Sequence, residues 1–294
     1  MSKFDKELEE FIQKELEDMC INIATNYKPN IENRKNNPFL CFEDAHANKY
    51  MGLGRSIDSQ LGNRIQRIIF YIARQRYGLS NVPNIISINY YEKDKKIICK
   101  LFSINIDLPT KEQNKNFNPF KQIIYVNKGN IDESEVKKEL KIKSTSKSLI
   151  IKQREIHISD TTFLGELSKF IKKNNGNPVD LLFFDCNDKI LDNVNAFEIK
   201  MGGNLDTKNA EANANEVKNL KKIFSFFPKN YSYFATCYSN CSKAVESRLC
   251  KNQILNNVDF WNKILPSEIS YDNFIKIYTS AFKKAKVEEK IQKM

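Results

Sequence analysis

Phe4, Leu8, Phe11, Ile12, Leu16 and Met19 recur every three or four positions and predict an amphipathic helix over 3–27. Residues 28–54, rich in Asn and Pro, read as loop. A second helix is expected from Ser56 to Tyr77. Leu61, Ile65, Ile68, Ile69 and Ile72 make its apolar face, Arg64, Arg67, Arg74 and Arg76 lie on the other, and Gly78 is its stop. The pattern then turns β-like. NIISINYYE and KKIICKLFSINID flank Lys93-Asp94-Lys95 and predict a hairpin. Residues 109–121 read as loop, KQIIYVN as a strand, IDESEVKKELKIK as a short helix and SLIIKQREIHI as a strand.

The stretch 160–240 carries a regular alternation of elements. TTFLGELSKFIKK predicts a helix capped by Thr161 or Thr162. NPVDLLFFD turns at Asn177-Pro178 and enters a strand, and NAFEIKM is a second strand. NAEANANEVKNLKKIFSFF is a long helix, and YSYFATCYS is a third strand. A right-handed crossover over that helix would set the third strand beside the second. VDFWNKIL and YDNFIKIYTSAFKKAKVEEKI are helical in pattern. No repeat and no linker divides the chain, so a single domain over 1–294 is expected.

Candidate chemistry lies inside two of these strands. Asp180 opens an otherwise apolar run, where a carboxylate is costly to bury unless its charge is compensated. Glu198 and Lys200 are two apart, so on a strand both point to one face. Two carboxylates converging from neighbouring strands suit a hard divalent cation such as Mg²⁺. A lysine on the same face can orient and polarise the water that attacks a phosphorus atom. The plainer alternative is an edge strand with an ordinary Glu–Lys pair, which contributes little.

At these positions the chain resembles the PD-(D/E)xK nuclease superfamily. Asn177-Pro178-Val179-Asp180 stands for the PD element, with Val179 interposed between proline and aspartate, and Glu198-Ile199-Lys200 stands for the (D/E)xK element. NPVDLLFFD, FEIKMGGNLDTKNAEANANEVKNL and YFATCYSN are similar to type II restriction endonucleases over about 160–240. RSIDSQLGNRIQRI at 55–68 and DFWNKILP at 259–266 extend the likeness loosely. The resemblance implies an α/β (α+β) fold: a restriction-endonuclease-like mixed sheet flanked by helices, with helical and β-rich N-terminal additions. It implies that Asp180 and Glu198 bind Mg²⁺ and that Lys200 handles the water; Glu166 from the preceding helix is the candidate for a further metal ligand, with a solvent-facing helix residue as the alternative. Asp185, five residues after Asp180, is the fallback first carboxylate, although a strand should turn it to the opposite face.

Gly203 and Asn204, directly after the catalytic strand, are candidate DNA contacts, and a tight strand-to-helix connection explains the glycines as well. On the second helix, Arg55, Asn63 and Arg64 are candidates to touch bases. The alternative is that its arginines are solvated or pair with acids of the first helix. The region 1–159 would then serve DNA contacts or dimerisation.

Composition adds partners. A formal net charge of +11 favours polyanions such as double-stranded DNA, although Lys, Asn and Ile abound throughout, as codon bias alone would produce. A palindromic site would call for a homodimer. The resemblance also implies a cognate DNA methyltransferase as genetic partner. No apolar run approaches a membrane span and the first residues lack a signal-peptide core, so a cytoplasmic protein with no membrane partner is expected. Seven cysteines argue against a disulfide framework. Cys237 and Cys241 read as a strand and a loop residue rather than zinc ligands. His46 and His157 lack the cluster that a histidine-metal nuclease needs. Two rivals stay open: a repair or phage-defence nuclease without a fixed site, and a non-catalytic basic DNA-binding protein.

Overall fold

The structure is a computed structural model that describes residues 2–35, 45–94, 96–106, 120, 122–139, 149–158, 167–170, 176–185, 193–203 and 205–294. The described chain packs as two compact units, 1–72 with 265–294, and 73–264. The fold is α+β, with helices and two mixed sheets.

The first unit is helical. It contains α1 (Lys3–Lys35), most of α2 (Ala45–Tyr77), α7 (Tyr271–Lys284) and α8 (Val287–Gln292). Leu8, Ile12, Leu16, Met19 and Ile23 form the buried stripe of α1, as their spacing predicts. Both long helices intrude on the expected loop 28–54: α1 continues to Lys35 and α2 begins at Ala45. Low helix propensity is a weak prior, and Leu53, between Gly52 and Gly54, is buried in α2. The expected C-terminal helix is broken at Lys286, whose φ of 52° is left-handed.

The second unit holds both sheets. β1 (Ile85–Lys93) and β2 (Lys96–Ile106) form the expected hairpin, with Lys93 opposite Lys96. β3 (Gln122–Lys128) runs parallel to β1, β4 (Leu149–Ile158) antiparallel to β2, and β5 (Asn177–Val179) antiparallel to β3. α3 (Glu133–Glu139) stands where a short helix is expected. The expected helix beginning at Thr161 lies mostly outside the described residues. The first sheet has the order β4-β2-β1-β3-β5.

β6 (Leu181–Asp185), β7 (Asn193–Lys200), β8 (Lys229–Thr236) and β9 (Ile254–Asn256) form the second sheet in that order. β7 and β8 are parallel and joined through α4 (Thr207–Ile223), as the alternation predicts. Asp206 caps α4, its side chain accepting from the Asn209 amide at 2.8 Å. NPVDLLFFD, expected to turn at Asn177-Pro178 and enter one strand opened by Asp180, is two strands in two sheets, with Asp180 the one residue between them. An apolar run reports burial and not which neighbour pairs with each half. The short β9 and α5 (Lys243–Glu246) were not expected, and α6 (Val258–Ile264) was.

Alternation sorts the second sheet's side chains. Leu182, Phe184, Val194 and Ala196 enter a core with Leu220, Ile223 and Phe224 at the end of α4 and with Ile86, Ile88 and Ile124 of the first sheet. Phe183 and Phe197 stack on the other face, Phe183 with Tyr77 at 3.9 Å and Phe197 against Tyr233 and Phe260. Positions 198 and 200 are in phase with Ala196 on β7.

Candidate active site

The β6–β7 register pairs Leu181 with Phe197 and Leu182 with Ala196. Asp180 directly precedes Leu181 at this end of β6, and Glu198 directly follows Phe197 on β7, in phase with Val194 and Ala196. The carboxylate of Asp180 is held across the strands, since the Ile199 backbone N–H donates to its Oδ2 at 2.7 Å. Lys200 Nζ lies 2.8 Å from Glu198 Oε1. The Glu198 side chain is 16% exposed and that of Lys200 35%, so the pair is shielded yet reachable from solvent.

Lys200 feels opposing forces. Burial works to lower its pKa, whereas Glu198, with Asp180 and Glu216 of α4, raises it, and the net shift is upward. Its ammonium is therefore charged at neutral pH. Next to it, burial pushes the Cys237 thiol up to about 12, with the negative charge of Asp180 adding to the effect. Cys237 is a buried thiol just after β8, and the Trp261 indole N–H donates to its carbonyl at 2.8 Å. Cys241 is buried in the following loop, also as a free thiol.

The turn after β7 is closed by the loop after β8. The Cys237 and Tyr238 amides donate to the carbonyls of Lys200 and Met201. The Gly203 amide donates to Ser239 Oγ at 3.0 Å, and its carbonyl accepts from the Ser242 amide at 2.9 Å. A Cβ on Gly203 would run into the Asn240 carbonyl. Close backbone packing accounts for this glycine. Tyr238, 57% exposed, lays its ring against Gly202 at the same end of the sheet.

Comparison with known protein families, curated proteins and solved structures finds no match for this chain.

Other expected site residues stand as follows. Glu166 and Asn204 lie outside the described residues. Arg55 and Asn63 are exposed on α2. Arg64 is buried, its guanidinium 2.9 Å from Glu15 of α1, and Arg67 approaches the same carboxylate at 3.2 Å. The expected alternative, pairing with acids of the first helix, describes both. Asp185 ends β6 on the opposite face from Asp180, within the electrostatic reach of Tyr77 and Lys263. His157 is 3.5 Å from Glu155 on β4. Among the described residues, no three His, Cys, Asp or Glu side chains gather as a metal site. The pair Asp180 and Glu198 does offer hard oxygen donors of the kind Mg²⁺ takes, in a partly shielded place. Gln122 and Glu216 went unremarked in the sequence. Glu216 lies on α4, and nothing in the spacing of either residue marks it.

Proposed function

We propose that this protein is a Mg²⁺-dependent endonuclease of the PD-(D/E)xK kind, hydrolysing phosphodiesters in double-stranded DNA at a short, two-fold symmetric site. The observation that carries the reading is that Asp180 meets β7 at Ile199, whose amide donates to its carboxylate, between Glu198 and Lys200, with Lys200 paired to Glu198 and charged.

Asp180 and Glu198 would hold the cation. When bound, the metal would neutralise charge on the phosphate and on the leaving oxygen. Lys200, an ammonium at neutral pH, is a donor rather than a base. It would leave its pairing with Glu198 to orient the attacking water by its lone pair and to support charge on the phosphate. The water's oxygen would form the new bond to phosphorus and give up a proton to solvent, the P–O bond to the leaving sugar oxygen would break, and that oxygen would take a proton from solvent. Basic residues elsewhere supply phosphate contacts, which position the duplex without reading its sequence.

The test is digestion of a mixed plasmid with Mg²⁺, followed by sequencing of the ends. Discrete fragments that EDTA abolishes are expected. Full cutting in chelator would remove the metal from the mechanism, and no cutting under any divalent cation would remove the reading itself.

A further inference from the structure

Asp180 is a single residue caught between two sheets, and one side chain spans the gap around it. Val179, before Asp180, pairs with Gln122 of β3 through the backbone ladder. Leu182, after Asp180, is bound by the side chain of the same Gln122. The Leu182 amide donates to Gln122 Oε1 at 2.6 Å, and Gln122 Nε2 donates to the Leu182 carbonyl at 2.8 Å. The second Nε2 hydrogen goes to the Pro83 carbonyl at 2.6 Å. Gln122 is fully buried.

This arrangement replaces a missing strand. Where the chain leaves β3 for β7, the Leu182 backbone would lose its partner on the first-sheet side, and a buried unpaired peptide group is costly. The primary amide presents an acceptor and a donor side by side, as a peptide group does in a ladder. Pro83 is itself fixed. Arg74 donates to the Val82 carbonyl at 3.2 Å and to Asn84 Oδ1 at 2.7 Å, and the Ile123 amide donates to the Asn84 carbonyl at 2.9 Å. The glutamine amide therefore has one orientation that satisfies both its ends.

We propose that Gln122 is the positioning residue of Asp180: its backbone and side chain together bracket the aspartate and fix where the carboxylate meets β7. The hydrogen bond from Ile199 to Asp180 Oδ2 reports that placement directly. The consequence for metal binding rests on the nuclease reading; the bracket does not.

The experiment uses the full chain carrying Gln122→Met, which keeps the length of the side chain and removes its donors and acceptor. Amide hydrogen exchange at Ile199 is followed by NMR, with Phe234 and Ala235 of β8 as controls, and Mn²⁺ alone is titrated as the metal probe. Exchange at Ile199 should quicken about tenfold with the β8 amides unchanged, and Mn²⁺ affinity should fall by about 10–100-fold, as for other residues that orient metal ligands. Gln122→Glu is the second variant. Its carboxylate repels the carbonyls of Leu182 and Pro83, and protonation restores one donor. Ile199 protection should thus recover toward that of the unsubstituted protein as pH falls, each compared at the same pH. Unchanged exchange at Ile199 in a folded variant would overturn the proposal. So would equal quickening of the β8 amides, which marks general loosening. If the unsubstituted protein binds no Mn²⁺, the nuclease reading fails while the Ile199 result still decides the role of Gln122.

Discussion

Lys200 carries its charge against burial because Glu198 is 2.8 Å away, and this makes a sharp expectation for a single substitution. In Glu198→Gln the desolvation stays and the main attraction goes, so the Lys200 pKa should fall, as a titration of its ammonium resonance by NMR would record. The sign for stability follows from the raised pKa in the folded protein. The pair's contribution is present below the ordinary lysine value of 10.5 and is lost as pH rises through the higher folded value. For function, Lys200→Ala should cut cleavage by roughly 10²-fold or more, the scale of a positioned proton-handling or charge-stabilising group. DNA affinity in Ca²⁺ should stay within about threefold, since one lysine of many adds little to phosphate contacts. Gel shifts beside cleavage assays would separate the two, and loss of binding in a folded variant would leave the catalytic role unsupported. The types and spacing of Asp180, Glu198 and Lys200 were legible in the sequence because a strand's period of two fixes the face. The partners of Asp180 were not, because Ile199 reaches it from a different strand.

At the scale of elements, the strand-to-helix turn after β7 depends on a glycine without a Cβ. Gly203→Ala should lower unfolding free energy by about 1–3 kcal/mol, as overpacking does, because the Asn240 carbonyl in its way is backbone. Gly202→Ala should cost less, since it meets the ring end of Tyr238, 57% exposed, which can swing outward. Urea melts of the two variants would rank them, and the reverse order would refute this reading of the turn. Within the first unit, α1 and α2 are joined by a buried cluster in which Arg64 and Arg67 share Glu15. Glu15→Ala would remove the buried carboxylate nearest both guanidiniums, leaving Asp18 3.8 Å from Arg64, and should cost about 3 kcal/mol. Thermal melts at fixed pH would show whether the loss is that large. Arg64 illustrates the limit of a helical wheel. Its place opposite the apolar stripe left open a reader of bases or a partner for acids of the first helix, and the Glu15 carboxylate draws it inside.

For the whole molecule, the sequence foretold a mixed α+β chain, and the structure has that class, with no described helix long and apolar enough to cross a membrane. A site-specific nuclease must discriminate by base contacts, so cleavage of a random-sequence library at physiological salt should give ends mapping to one short symmetric site. Ultracentrifugation should show a dimer under the same conditions. An unpreferential smear from a monomer would instead favour a repair or general nuclease. By itself the sequence determined the local periods: the stripe of α1, the β1–β2 hairpin, the β7–α4–β8 run, and the shared face of Glu198 and Lys200. These depend on contacts between neighbours along the chain, which spacing records. Only tertiary structure decided that NPVDLLFFD is divided between two sheets at Asp180, that Gln122 bridges the division, and that Gly203 lies under Asn240. Each of these is a pairing between residues distant in sequence, chosen by which buried backbone groups need partners. A one-dimensional pattern of polarity states that a position is buried, and the satisfaction of its hydrogen bonds fixes beside what.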